Sequence, residues 1–294
     1  MFTKEEFDRI QKEFNNRQLK RKSKLIKIWM FFLSVVVVAI VSLIFIFPKQ
    51  FDNQDTAWIL PTYGGVFLFG TLTGLIVSLK YASERPTFDY LYDAIIDKIN
   101  QYEGLFLKYI AYDKSSRYFN KNGGLFAPSA SANVKRHIEG MTSDQQEFHI
   151  YDTMLTTSTG NGQQTHFDGI YFVLNKSAQT IVQIRTNGKP RVKGHKYIKV
   201  DTQSDLKVFK EVDQQLNALD FKYLNFIEKI NQNVEVKRVY FSSINQQLHL
   251  AIWYKKHPAR KQKNVSFETL NKLTQYFLSE FKLMEDLIEV DAEW

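Results

Sequence analysis

Cysteine is absent from all 294 residues. That one absence removes a disulfide framework, a thiolate zinc site and a cysteine nucleophile together. Other chemical signatures are missing as well. The chain has no G-x-S-x-G elbow, no P-loop and no G-x-G-x-x-G after a strand. Internal repeats, coiled-coil heptads and low-complexity tracts are also lacking. The six histidines, His137, His149, His166, His195, His249 and His257, are scattered. None forms with a Glu the i, i+4 helical pair of a zincin. His149, His166 and His249 fall inside predicted strands, where they read as ordinary strand residues. Asp152 and Asp168 lie on adjacent predicted strands, and solvated strand positions account for them without acid–base chemistry. The expectation is a chain with no catalytic residue, no cofactor and no metal site.

Apolar content of 44%, rich in Phe and Tyr, is sufficient for a packed core. The net charge is +8, and its placement is uneven. Residues 1 to 27 hold nine Lys or Arg against four Asp or Glu, and the remainder is nearly balanced. A nucleic-acid-binding protein concentrates its basic residues on the folded module. Here the excess lies beside a hydrophobic stretch, so membrane topology is the expectation and nucleic acid is not an expected partner.

From Ile28 to Phe47 there are 20 consecutive uncharged residues dominated by Val, Ile, Leu and Phe. At about 1.5 Å per residue such a helix is roughly 30 Å long, the thickness of a bilayer's hydrocarbon core. A second run of 22 uncharged residues, Trp58 to Leu79, contains Pro61, Gly64, Gly65, Gly70 and Gly74. Membrane helices tolerate such residues because small side chains admit a neighbouring helix, and Gly70-x-x-x-Gly74 has the spacing of a helix-packing face. The first run is longer than a signal-peptide core and no A-x-A-like site follows it. Lys20, Arg21, Lys22, Lys24 and Lys27 precede the first run, whereas the connecting residues 48–57 contain one basic residue, Lys49. The positive-inside rule then places both termini in the cytoplasm of a two-span protein of the cell membrane.

The expected organisation is a basic cytosolic helix over 1–27, transmembrane helices over 28–47 and 58–79 joined by an external loop at 48–57, a linker helix over 80–112, and a cytosolic α+β domain over 113–294. Thr3-x-x-Glu6 is a capping box flanked by Phe2 and Phe7, so a short helix should begin there. It either lies on the inner leaflet or packs on the domain. Leu91, Ile95, Ile99 and Tyr102 mark a helical stripe after Pro86, ending near Gly104 or continuing to Tyr109. Residues 113 to 136 are polar and small, and read as a loop. Period-two patterning then predicts strands at 147–157, 164–174, 179–186 and 196–200, with a hairpin turn at Thr159-Gly160-Asn161-Gly162. A turn centred there keeps His149 and His166 from facing each other. A further hairpin is expected over 234–254, with its turn within Ser242 to Gln247. Helices are expected at 219–231 and after the N-cap Ser266, where Leu270, Leu273, Phe277, Phe281, Met284 and Ile288 form a stripe. The fold class is therefore α+β: two N-terminal transmembrane helices followed by a cytosolic antiparallel-sheet domain with packed helices.

This order, together with Phe167-Asp168-Gly169-Ile170-Tyr171-Phe172, the segment Leu219 to Ile230, and the closing pair Val239-Tyr240-Phe241 and Leu248 to Trp253, resembles a bacterial membrane family classed as domain of unknown function 3137. The resemblance implies the same topology of basic helix, two spans, linker helix and cytosolic α+β domain. It carries no catalytic residues to transfer.

Two basic stretches are the candidate contact sites. Lys189, Arg191 and Lys193 alternate with His195, so an extended backbone places them on one face. Lys255, Lys256, Arg260, Lys261 and Lys263 cluster between the last hairpin and the last helix. Either stretch can meet anionic headgroups or an acidic partner, each cation contributing about 1 kcal/mol near a charged leaflet; the alternative is a solvated loop tip. The leading functional expectation is a noncatalytic, membrane-tethered module that binds a protein partner or a second copy of itself. The alternatives are an enzyme or small-ligand domain with a site assembled from distant residues, and a domain that senses anionic lipid.

Overall fold

The computed structural model describes residues 1–50, 65, 71, 73–74, 86–103, 106–110, 123–127, 130–142, 145–159, 162–175, 181–190, 194–256 and 266–292. Two units are distinguished: Glu5–Leu91, and Tyr92–Trp294 together with Met1–Lys4.

The smaller unit is dominated by α1, Lys4–Gln50, a single helix of 47 residues. It starts next to Thr3, at the capping box. It does not stop before the apolar run, so the short helix and first span expected from the sequence are one continuous element, reaching three residues into the expected loop at 48–57. Nothing between Thr3 and Phe47 breaks a helix, for this stretch contains neither Gly nor Pro. Arg17 bonds Glu13 one turn back at 3.0 Å, and its guanidinium lies 4.3 Å from the Tyr90 ring. Of the expected second span, residues 65, 71, 73 and 74 are described, and all four are helical. Gly74 lies tight against α1, where an added Cβ would come within 3.0 Å of the Phe32 ring. Among the described residues no helix is long and apolar enough to cross a membrane. The side chains of residues 39, 40 and 42–50 are outside that description.

The larger unit is α+β. Among the described residues its nine strands are β1 Phe106–Ile110, β2 Ser131–Met141, β3 Glu147–Thr159, β4 Gly162–Asn175, β5 Val182–Arg185, β6 Tyr197–Val200, β7 Lys207–Glu211, β8 Val236–Ile244 and β9 Gln247–Tyr254. They form one sheet in the order β1-β2-β3-β4-β9-β8-β5-β7-β6, with every pairing antiparallel. Among the described residues three helices accompany it: α2 Pro86–Glu103, which belongs to this unit from Tyr92 on, α3 Ala218–Asn231 and α4 Phe267–Ala292.

Local chemistry explains the element ends. Thr159 pairs directly with Gly162, so the hairpin falls within the expected stretch, but its connection is residues 160–161, one residue before the Asn161-Gly162 centre that the sequence suggests. The β8–β9 turn is Asn245-Gln246, both at positive φ, and is shorter than the stretch from Ser242 to Gln247 because Ser242, Ser243 and Ile244 continue the strand. Asn217 and Asp220 form a reciprocal capping box at the start of α3. At α4 the Ser266 hydroxyl accepts the Thr269 N–H. The buried stripe of α4 is Leu270, Leu273, Phe277, Phe281 and Met284, ending on Leu287 where the sequence suggests Ile288.

Two expectations need correction. The linker helix ends at Glu103, and 106–110 form the edge strand β1. Residues 131–136 are not loop but the first half of β2. Of the remainder of 113–136, residues 123–127 and 130 are described, and Leu125, Phe126 and Ala130 are buried. Polar and small composition hid the start of β2, which reads Ser-Ala-Asn-Val-Lys-Arg and lacks a clean alternation, whereas the apolar Phe-Leu-Lys-Tyr-Ile of β1 reads as a continuation of the helix before it.

The helices line one face of the sheet. Tyr92 of α2 contacts Phe277 of α4 and Tyr109 of β1, and Tyr223 of α3 lies on Phe241 of β8. Ile138, Ile150, Ile170, Phe172, Leu250 and Ile252 supply the apolar surface beneath. The opposite face carries a second cluster in which Leu125, Phe126 and Ala130 cover Tyr151, Leu155, Phe167, Tyr171, Tyr240 and Ala251.

Candidate metal centre on the polar sheet face

A bulge between Val134 and Arg136 in β2 decides which side chains share a face. Regular alternation would put Val134 and Arg136 on the same side. The extra residue, Lys135, instead turns Arg136 toward α4, where it bonds Glu280, and leaves His137 on the opposite face against Tyr151. Glu139 follows two residues on and lies across from His149 of β3.

These residues converge. His137 Nε2 is 3.1 Å from His149 Nδ1, and Glu139 Oε1 is 3.8 Å from the former and 3.9 Å from the latter. Each of the three thus offers a ligand-type atom within 4.8 Å of the others. The Tyr151 ring stacks on His137 at 4.3 Å with an interplanar angle of 21°, and on His149 at 5.9 Å. On the far side of His149, Nε2 is 3.5 Å from Glu147 Oε1. Glu147 accepts from Asn175 Nδ2 at 3.2 Å, and Asn175 Oδ1 accepts from Gln247 Nε2 at 2.7 Å. The imidazoles are therefore fixed by a ring stack and by a polar chain across β3, β4 and β9. The side chain of His137 is 5% exposed, that of His149 18% and that of Glu139 36%, so the cluster opens to solvent through Glu139. Lys108 of β1 pairs with Glu139 in the sheet and is exposed.

Further along the same face lies a buried polar network. Tyr171 Oη and His249 Nδ1 are 3.2 Å apart. Burial holds the imidazole near a pKa of about 3 and pushes the phenol above its ordinary value. Both groups are consequently neutral at physiological pH. Arg185 donates to Leu125 O at 2.7 Å and to Gln183 Oε1 at 3.0 Å, which ties the covering segment to β5. Gly123 is required there, since a Cβ would sit 2.6 Å from both the His249 ring and Tyr171 Oη. Ser242 is opposite His249 in β8, but its hydroxyl has no hydrogen-bond partner among the described residues, so it lacks the bonded base that activates a serine nucleophile.

The basic residues expected as contacts are placed in part. Lys189, Lys255 and Lys256 are exposed. Arg191, Lys193, Arg260, Lys261 and Lys263 lie outside the described residues. β5 and β9 both flank β8 and run antiparallel to it, so Lys189 and Lys255 emerge at the same end of the sheet. Lys237 and Arg238 begin β8 at that end, with their cations 4.4 Å and 5.2 Å from the Trp253 ring. Two adjacent cations in a strand carry no signal by themselves, and only strand pairing brings them to the end that holds Lys189 and Lys255.

The His137–Glu139–His149 cluster is hidden in the sequence for a related reason. His137 follows a stretch that reads as loop, and its partner is 12 residues away. The usable signal is His-x-Glu followed by Glu-x-His across a short hairpin. As expected, His149 and His166 do not face each other: His149 pairs with Val173, and His166 Nε2 is 2.8 Å from Thr157 Oγ1.

No family model, curated protein or solved structure matches this chain.

Proposed function

We propose that this chain is a membrane-anchored protein whose α+β domain is a noncatalytic binding module working at the inner surface of the cell membrane. The observation that carries the reading is the surface of α1. Trp29, Met30, Phe31, Leu33 and Val38 are each 56% to 65% exposed, and Val35, Val37 and Val41 are exposed beside them. Successive helix positions step about 100° around the axis, so these side chains spread over roughly two thirds of the circumference, leaving only the sector of Ile28, Phe32 and Val36 half-buried, and no single packed face covers them. A bilayer does. The apolar sequence continues to Phe47, and the cationic stretch Lys20 to Lys27 stands just before it. The fit of Gly74 against Phe32 supports a second helix returning beside the first. The order of elements, which resembles the family classed as domain of unknown function 3137, supports the same two-span topology with both termini in the cytoplasm.

The partner in this reading is a protein or a second copy of the chain. Membranes from cells making the full chain should retain it through alkaline carbonate washing. A tag after Trp294 should resist protease added to intact cells. Release by carbonate, or digestion of the tag from outside, would overturn the anchoring. Partner binding is tested separately by cross-linking and purification in mild detergent, and failure to recover either a self-associated form or a stoichiometric partner would overturn it.

Anionic lipid is the second reading, favoured by Lys189, Lys255 and Lys256 sharing a sheet end with Lys237 and Arg238. Flotation with phosphatidylserine vesicles that survives changing Lys255, Lys256, Arg260, Lys261 and Lys263 to Ala argues against it.

A further inference from the structure

We infer that His137, Glu139 and His149 form a binding site for a divalent transition-metal ion, with Zn²⁺ the species the donor set suits best. The inference goes beyond the binding role proposed above and does not rest on membrane anchoring.

Geometry carries the argument. The three atoms His137 Nε2, His149 Nδ1 and Glu139 Oε1 form a triangle with edges of 3.1, 3.8 and 3.9 Å. The point equidistant from them lies about 2.1 Å from each, which is the length of a Zn–N or Zn–O bond. Two imidazoles and a carboxylate make a three-ligand set of the kind that leaves a fourth position open. Nitrogen donors select against Mg²⁺ and Ca²⁺, which prefer oxygen. The partial exposure of Glu139 and His149 gives an ion a way in.

The proton inventory is consistent. In the 3.1 Å contact between the two rings one nitrogen carries the hydrogen and the other accepts it. Both must present lone pairs to bind an ion, so His137 then holds its proton on Nδ1 and His149 holds its own on Nε2. The second of these faces Glu147 Oε1, the carboxylate that orients a ligating histidine from behind. Glu147 is in turn held by Asn175. Lys108 is the cation that the β1 pairing places across from Glu139.

The test uses the full chain in detergent, free of any polyhistidine tag, stripped with chelator and dialysed. Titration with ZnCl₂ followed by calorimetry, and metal analysis after gel filtration, should show one bound ion per chain. Co²⁺ should give visible absorption with the intensity of a four- or five-coordinate site, and Mg²⁺ should not compete. His149→Ala and Glu139→Gln should each weaken Zn²⁺ by roughly 100-fold, and Glu147→Gln by roughly 10-fold, the scale of losing an orienting partner. His166→Ala and His195→Ala should leave binding unchanged. His137 is the most enclosed of the three, so the two more accessible variants carry the test if His137→Ala fails to fold. Absence of a retained ion in the unaltered chain, or retention that survives both His149→Ala and Glu139→Gln, overturns the inference.

Discussion

The Arg136 guanidinium and the Glu280 carboxylate, 144 residues apart in the chain, meet through two 2.6 Å contacts inside the domain. Both residues are 2% exposed. Arg136 lies with its face 3.9 Å from the Phe277 ring, and Asp152 stands across from it in β3. Burial by itself opposes the positive charge, but Glu280 and then Asp152 more than offset that and hold the guanidinium above its ordinary value. The pair clamps α4 to β2 at one defined position.

Removing Glu280 leaves the Arg136 guanidinium buried without its hydrogen-bonded carboxylate, with Asp152 as the remaining opposite charge. Glu280→Ala should therefore lower unfolding stability by about 3–5 kcal/mol, whereas the double change Arg136→Met with Glu280→Leu should recover most of that loss. Urea unfolding followed by tryptophan fluorescence measures both. A double variant no more stable than the single would show that the clamp contributes more than its charges cost.

Gly169 pairs with Trp253 at the end of the β4–β9 ladder, and a Cβ there would lie 2.0 Å from the Ile252 carbonyl oxygen. A backbone atom cannot swing aside as a side chain does. Gly169→Ala is expected to cost at least about 2 kcal/mol, in the upper part of the range for overpacking. Gly162→Ala meets no atom within 4 Å but must hold φ near +132°, so its smaller loss, about 1 kcal/mol, comes from backbone strain. Thermal unfolding of the two variants side by side should show that order.

His249 gives the fold an acid limit. Its folded pKa, about 3, is below the unfolded value of about 6.5 because burial disfavours the charged ring. Above pH 6.5 the ring is neutral in both states and folding incurs no penalty. Between 6.5 and 3 the unfolded chain takes up a proton that the folded chain refuses, so stability falls by about 1.4 kcal/mol per pH unit from this group. His249→Gln should be less stable at pH 7 yet show a flatter decline from pH 6 to 4. Urea midpoints across that range test it, and parallel slopes would exclude His249 as the source.

Asn217→Ala removes the side-chain half of the cap on α3, in which Asn217 Oδ1 accepts the Asp220 N–H, and leaves the backbone N–H of residue 217 still donating to the Asp220 carboxylate. The expected loss is about 1 kcal/mol. Asn217→Ser should restore most of it, as read from the thermal midpoint.

Much of this architecture was legible in the residues because it rests on local chemistry. The stripe from Leu270 to Met284 named α4, Ser266 marked its start, and Gly160-Asn161-Gly162 marked the β3–β4 hairpin. β1, β2 and β7 were not legible. They are short or mixed in polarity, and neighbours far off in the chain hold them in the sheet. The histidine cluster failed for the same reason: a bulge at Lys135 sets the face on which His137 appears, and bulges leave no periodic trace. Arg136 and Glu280 carried no signal at all, because the pairing of buried opposite charges is a property of packing and not of spacing.

The sheet order holds a consequence for how this chain comes into being. β4 and β5 follow each other in synthesis, yet the β8–β9 hairpin is inserted between them. Until residue 254 has left the ribosome, both strands present naked hydrogen-bonding edges, the template for pairing with a stranger. Assembly of the centre must therefore wait for the last hairpin, and a chain halted near Asn233 is a sticky fragment rather than a smaller version of the protein.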